Sequence, residues 1–276
     1  MESLTAGFVG GGRIVRILVA DWQRAGVVVP TICVHEPDAS ARDALAWACP
    51  DVVAHGTMAA VASRDLVILA VHPPAVRKVV AGLRPQLRPE ALVLSLAPKI
   101  TLASMQEALG GFNRVARVIP NAPSLVGRGF NPVYFGPDVK EGARTGLLAL
   151  LRPLGDTPEV AEDTLEAYAI LAAMGPTYLW SQLETLREIG QEVGLSAEAA
   201  DGALRALVEG ALAGLLDSGW VRSYSCHQLE SSSSSFPVQS EDLALLARDG
   251  FLAMVAAPDI FIEEQQQALA ADRARG

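Results

Sequence analysis

The stretch Thr5-Ala-Gly-Phe-Val-Gly-Gly-Gly-Arg-Ile-Val15 decides the reading of this chain: a short apolar run breaks into consecutive glycines and resumes as a helical pattern. Its spacing predicts a strand, a tight turn and a helix. Glycine without a Cβ lets the backbone come close to a pyrophosphate, and a helix N-terminus behind it offers free N–H groups and a partial positive charge. Gly10 and Gly12 are the turn glycines of that reading. The dinucleotide-binding pattern has Gly or Ala three residues after the second of them, where this chain has Val15. Glycine clusters also make simple turns, so the surroundings carry the assignment.

Those surroundings begin with Pro30-Thr-Ile-Cys-Val-His-Glu36, a second strand whose Glu36 lies 24 residues beyond Gly12. That is near the spacing of the acidic residue that accepts a cofactor's ribose hydroxyls. A carboxylate there repels a 2′-phosphate and favours NAD, whereas Arg42 just downstream can pair with such a phosphate. The choice between NAD and NADP stays open, and Glu36 as a solvated strand-end carboxylate is the alternative.

The remaining chain supplies the alternation a doubly wound parallel sheet requires. Asp65–Val71 and Ala91–Ala97 are continuous apolar runs, as expected of strands buried on both faces. Arg114–Ile119 is another strand, and a strand-helix piece over 133–154 closes the domain. Helical patterns fall at Arg13–Arg24, Ser40–Ala48, Ala75–Leu83 and Thr101–Leu109. Ligands of such sheets lie at the strands' carboxyl ends. The candidate cofactor groove therefore includes Ala70, Val71, His72 and Pro73, then Ala97, and Asn121, whose amide could bond a nicotinamide or ribose.

From Thr157 the pattern turns helical. Thr157-Pro-Glu159 reads as a hydroxyl cap, a proline at the first position and a carboxylate beside the dipole. Helices are expected over Glu159–Met174, Pro176–Val193, Ser196–Ser218 and Ser240–Asp272, with a loop at Ser231–Ser235. The expected architecture is an α/β Rossmann domain (doubly wound parallel sheet) over residues 1–156, followed by an all-α dimerisation and substrate domain over 157–276. Small residues along Ala199–Leu216 suit either a helix buried between subunits or an ordinary core helix.

Composition removes several function classes. A formal charge of −9 over 276 residues, with scattered arginines, argues against a nucleic-acid or anionic-membrane partner. The three cysteines, Cys33, Cys49 and Cys226, show no metal-ligand spacing and suit a reducing compartment. No apolar run is long enough to span a bilayer, and Met1-Glu-Ser-Leu lacks a basic start, so a soluble cytoplasmic protein is expected.

The sequence resembles the pyrroline-5-carboxylate reductases of proline synthesis. The likeness runs through Gly7–Gly12, Asp65–Pro74, Leu92–Ala97, Arg117-Val-Ile-Pro-Asn-Ala-Pro-Ser-Leu-Val-Gly127, Gly175-Pro-Thr-Tyr178, Glu184 and Gly190–Leu195. It implies a Rossmann domain with a helical dimerisation domain, a homodimer or higher homo-oligomer, and an oxidoreductase that reduces a small cyclic imine with NADPH or NADH. It places Arg13 and Ile14 beside the phosphates, with Arg13 in the place of a family asparagine and His72 in that of a family lysine. It puts Met174, Gly175, Pro176, Thr177, Glu184, Ser233 and Ser234 at the substrate pocket, with Thr177 and Tyr178 as the candidate hydrogen-bonding catalytic groups. This chain departs from the family at Ala172-Ala-Met-Gly-Pro-Thr-Tyr178, where two serines are lost, and at Ser233-Ser-Ser-Phe-Pro-Val-Gln239, where a Gly-Gly pair is lost. Two other readings are a dinucleotide-binding regulator without turnover and a β-hydroxyacid dehydrogenase. The latter class uses a lysine in its helical domain, and the lysines here, Lys78, Lys99 and Lys140, all precede Thr157.

Overall fold

In the computed structural model, which describes residues 4–29, 31–50 and 56–217, the first apolar run is strand β1 (Ala6–Val9) and the helix behind its glycines is α1 (Arg13–Arg24). There follow β2 (Ile32–His35), α2 (Ala39–Ala48), α3 (Met58–Ala62), β3 (Leu66–Leu69), α4 (Pro73–Leu83), β4 (Leu92–Ser95), α5 (Leu102–Ala108) and β5 (Val115–Val118). Next come β6 (Gly129–Phe130), β7 (Val133–Phe135), α6 (Glu141–Leu151), β8 (Gly155–Asp156), α7 (Leu165–Tyr168), α8 (Gly175–Glu192) and α9 (Ala197–Leu216). The loop at Ser231–Ser235 and the helix expected over Ser240–Asp272 lie outside the described residues.

The main sheet has the order β2-β1-β3-β4-β5-β7, parallel except for β7, which runs antiparallel to β5. Strands β5 and β7 are joined by a loop with a 3₁₀ turn at Ala122–Val126, and an antiparallel return needs no crossover helix. Strand alternation sends Phe8, Ile68, Leu94 and Val118 into one apolar layer with Val15, Leu18 and Trp22 of α1 and Leu147 of α6. Val9, Leu69 and Val93 enter the other layer, with Val76 and Val80 of α4 and Met105 of α5. Val15, at the position where the dinucleotide pattern has a small residue, is fully buried in the first layer.

The expected helix over Glu159–Met174, with Thr157 as its cap, is corrected. Thr157-Pro-Glu159 runs extended beside β7, with Val133 N–H donating to Pro158 O and Val160 N–H to Val133 O, each at 2.9 Å. The Thr157 hydroxyl donates to Gly155 O at 3.3 Å instead of capping. Unpaired groups on the far edge of β7 offer the backbone a better partner than a new helix start does. The chain then forms a 3₁₀ turn at Glu162–Thr164, α7, and a π turn at Ala169–Ala173 before α8.

Two compact units divide between Leu179 and Trp180. Within the second, Arg187 Nε of α8 donates to Asp201 Oδ1 of α9 at 2.5 Å. Ser196 caps α9, its hydroxyl accepting from Ala199 N–H at 3.1 Å. Among the described residues no helix is long and apolar enough to cross a membrane.

Candidate functional site

Strand β1 leads to β2 on one side of the sheet, and the chain then crosses to β3 on the other. The carboxyl ends of β1 and β3 therefore flank the topological switch point where ligands of such sheets bind. Gly10 sits there at φ 98°, its N–H donating to His35 O at 2.9 Å. A Cβ on Gly10 would stand 2.5 Å from Ala70 O, so only glycine lets the β1 turn pass the end of β3. Gly12 differs, since nothing lies within 4 Å of where its Cβ would be. It is the N-cap of α1 with no side-chain hydrogen bond, so no side chain of the cap residue satisfies the first-turn N–H groups, the arrangement an anion site needs. Arg13 is exposed at the first helical position, and Ile14 packs on the core beneath.

The β3 side contributes Ala70, Val71, His72 and Pro73. Ala70 and Val71 pack against the two apolar layers, and His72 is the exposed N-cap of α4. Pro73 and Pro74 open α4 and lack N–H groups, so this helix end offers fewer anion donors than α1 does. Across the sheet, Ala97 is buried beyond the end of β4.

Glu36, beyond the end of β2, reaches the glycine turn. Its Oε2 accepts Gly11 N–H at 2.7 Å, and its Oε1 accepts Asp38 N–H at 2.9 Å. Arg42 donates to Glu36 O at 3.0 Å and Pro37 O at 2.7 Å.

Asn121 is engaged within the protein. Its Oδ1 accepts Phe130 N–H at 3.2 Å, and its Nδ2 donates to Ala172 O at 3.0 Å in the π turn. It belongs to a buried polar knot in which Asn131 Oδ1 accepts from Ser124 Oγ at 2.9 Å and from Asn121 N–H at 3.3 Å. These groups hold the loop after β5 and the π turn together.

The Thr177 hydroxyl donates to Met174 O at 2.6 Å, and its oxygen keeps acceptor capacity. Met174, Gly175 and Pro176 are half-buried around it. Glu184 is exposed in the second unit and accepts from Arg187 Nη1 at 3.2 Å. Ser233, Ser234 and the side chain of Tyr178 lie outside the described residues.

Sequence reasoning missed a charged clamp at the ends of β4 and β5. Arg117 is 1% exposed on β5, donating to Glu162 Oε1 at 3.0 Å and Glu166 Oε1 at 2.7 Å. The same carboxylates accept N–H groups from the chain after β4: Lys99 to Glu166 at 2.8 Å, and Leu102 to Glu162. Lys99 holds φ 63°, the one positive value outside glycine among the described residues, and the bond to Glu166 fixes it there. One arginine inside the apolar run Arg114–Ile119 was the available signal, because a buried guanidinium requires carboxylate partners.

A glycine turn against β3, an uncapped helix N-terminus and a carboxylate beyond β2 define a dinucleotide-binding domain of the Rossmann type. Comparison with known proteins narrows the class. A family model described as NADP oxidoreductase coenzyme F420-dependent matches residues 5–99. A pyrroline-5-carboxylate reductase of Pseudomonas aeruginosa is 29% identical over 201 residues, 72% of this chain and 74% of that one. The solved pyrroline-5-carboxylate reductase of Coxiella burnetii superposes with a TM-score of 0.65 at 26% identity, over 99% of this chain and 98% of that chain. The Plasmodium falciparum pyrroline carboxylate reductase, solved with NADP bound, shares the fold at a TM-score of 0.67 and 20% identity, over 93% and 94% of the two chains. The chain is thus similar to pyrroline-5-carboxylate reductases over most of its length.

Proposed function

We propose that this chain is an NAD(P)H-dependent oxidoreductase of the pyrroline-5-carboxylate reductase type, reducing 1-pyrroline-5-carboxylate or a close cyclic imine to the secondary amine. The observation that carries the reading is the Gly10–Gly12 turn, packed on Ala70 O and open in front of α1, in a chain related to these reductases over most of its length. A bound nicotinamide supplies hydride to the imine carbon. The protein's part is to place that ring, keep water out and hold the substrate carboxylate. A cyclic imine protonated before it binds needs no strong acid from the protein. The first-turn N–H groups of α1 and exposed Arg13 suit the pyrophosphate, and partly buried Val71 gives an apolar lining beyond β3. Substrate contact falls to 174–177 and, in this reading, to the serines at 233–234. Pairing of copies through the helices after Thr157 is supported by exposed Leu207, Leu212, Leu215 and Leu216 on α9. A cytoplasmic homodimer, with residues 1–156 binding the dinucleotide, completes the reading.

The test follows NAD(P)H absorbance with a panel of five- and six-membered cyclic imines, with and without a carboxylate. Turnover of the five-membered imino acid supports the reading. Turnover only of other imines moves the substrate. Cofactor binding with no turnover on any member refutes the reductase and favours a dinucleotide-binding regulator, a reading to which the engaged Thr177 hydroxyl lends weight.

A further inference from the structure

The two sequence features that leave the cofactor choice open, Glu36 and Arg42, are resolved by their hydrogen bonds. A 2′-phosphate on the adenosine ribose of a bound dinucleotide would come to the end of β2, where the acidic residue of this fold meets the ribose hydroxyls. Glu36 is fixed there. Both of its oxygens accept backbone N–H groups, Gly11 at 2.7 Å and Asp38 at 2.9 Å, so the carboxylate is tied to the glycine turn and cannot swing aside cheaply. Each oxygen keeps a lone pair for a ribose hydroxyl, and neither can accept a phosphate. Glycine at 11 is part of the arrangement, because a Cβ there would lie 3.2 Å from Glu36 Cβ and push the carboxylate outward.

Arg42, the cation of this loop, is turned inward. Its Nη1 donates to the carbonyls of Glu36 and Pro37, at 3.0 and 2.7 Å, and so closes the loop on itself. Asp38 adds a second exposed carboxylate two residues beyond Glu36, and it accepts Ser40 Oγ at 2.6 Å and Ala41 N–H at 2.8 Å as the cap of α2. The Ser40 hydroxyl and the Ala41 N–H hold its carboxyl below the usual carboxylate range, so it is charged near neutrality. The loop thus presents negative charge and hydroxyl acceptors where a 2′-phosphate would need cations.

We infer that Glu36 makes this chain selective for NADH over NADPH, with Arg42 a brace of the loop and not a phosphate ligand. The inference rests on the dinucleotide reading above. Its test is calorimetric titration of the full chain with NADH and with NADPH, for the wild type, Glu36→Gln and Arg42→Ala. The wild type is expected to bind NADH at least about tenfold more tightly. Glu36→Gln removes the charge and keeps one of the two acceptors that tie the side chain to the loop, and the preference should shrink about tenfold through a gain in NADPH affinity. Arg42→Ala should not lower NADPH affinity relative to NADH, as it would if the guanidinium met the 2′-phosphate. Equal or tighter NADPH binding by the wild type overturns the inference, as does an unchanged preference in Glu36→Gln or a selective loss of NADPH in Arg42→Ala. Binding of neither nucleotide is a separate result, which removes the dinucleotide reading itself. The wild-type ratio and the Arg42 variant keep the test decisive if Glu36→Gln does not fold.

Discussion

Substituting Gly10 and Gly12 in turn separates packing from ligand approach within one turn. An alanine Cβ at Gly10 would meet Ala70 O at 2.5 Å and Ala70 C at 3.0 Å, both backbone atoms. Ala70 cannot retreat without stretching its 2.9 Å bond to Val9 O, which continues the β1–β3 ladder. Forcing a side chain to φ 98° costs roughly 1–2 kcal/mol and overpacking about 1–3 kcal/mol more, so Gly10→Ala should lose about 2–5 kcal/mol. Gly12 is at φ −70° with open space around it, and Gly12→Ala forfeits only a glycine N-cap, about 0.5–1 kcal/mol. In urea denaturation the first unit of Gly10→Ala should unfold about 1 M or more below the wild type, and that of Gly12→Ala close to it. Gly12→Val should stay folded but fill the space in front of α1, and NADH affinity by calorimetry should drop at least about tenfold. Equal midpoints for the two alanine variants would refute the packing argument. Undiminished NADH binding by Gly12→Val would refute the placement of the pyrophosphate.

Removing charge from both Glu162 and Glu166 as glutamines leaves Arg117 buried without a counter-ion, and this should cost about 3–5 kcal/mol in denaturation. Arg117→Met should cost less, about 1–2 kcal/mol, because the abandoned carboxylates are 27% and 38% exposed and can rehydrate; the reverse order would defeat the clamp. Asp65 gives an acid response. Burial acts to raise its pKa, but the Thr5 hydroxyl and N–H together with Arg88 outweigh it and leave the carboxyl below its usual value. Its stabilisation is therefore present above the unfolded value of about 3.9 and lost as pH falls through the lower folded value. Asp65→Asn should flatten that part of the stability-pH curve, and an unaltered curve would exclude Asp65 as a source. Trp22→Phe removes the buried 2.7 Å bond from Nε1 to Leu150 O and should lower stability by about 1–3 kcal/mol; a variant as stable as the wild type would show that water satisfies that carbonyl.

Much of the sheet was legible in the sequence because its signals are local. Buried parallel strands read as apolar runs, and α1 falls at Arg13–Arg24, the range its periodicity predicts. Where distant groups decide, the sequence was silent. Thr157-Pro-Glu159 carries good helix-start chemistry, yet the unpaired edge of β7 captures it. Asn121 looked like a free amide until Phe130 across its own loop, and Ala172 51 positions on, came to meet it. The Arg117 clamp joins residues 45 and 49 positions apart, a pairing no helical or strand period encodes. Within the groove, glycine positions could be read from pattern alone, whereas the direction of Arg42 depends on two carbonyls of its own loop.

The knot of Asn121, Ser124 and Asn131 has a bearing on how such a chain can change over time. Each member answers a polar group of another in a buried place, so replacing one by an apolar residue strands its neighbours at about 1–3 kcal/mol per orphaned group. Replacing all three with apolar residues does not help, because Phe130 N–H, Asn121 N–H and Ala172 O would then lose the side-chain partners they have now. Drift at these positions should therefore be correlated, and a descendant should keep the set or exchange it for another polar set that answers the same backbone groups.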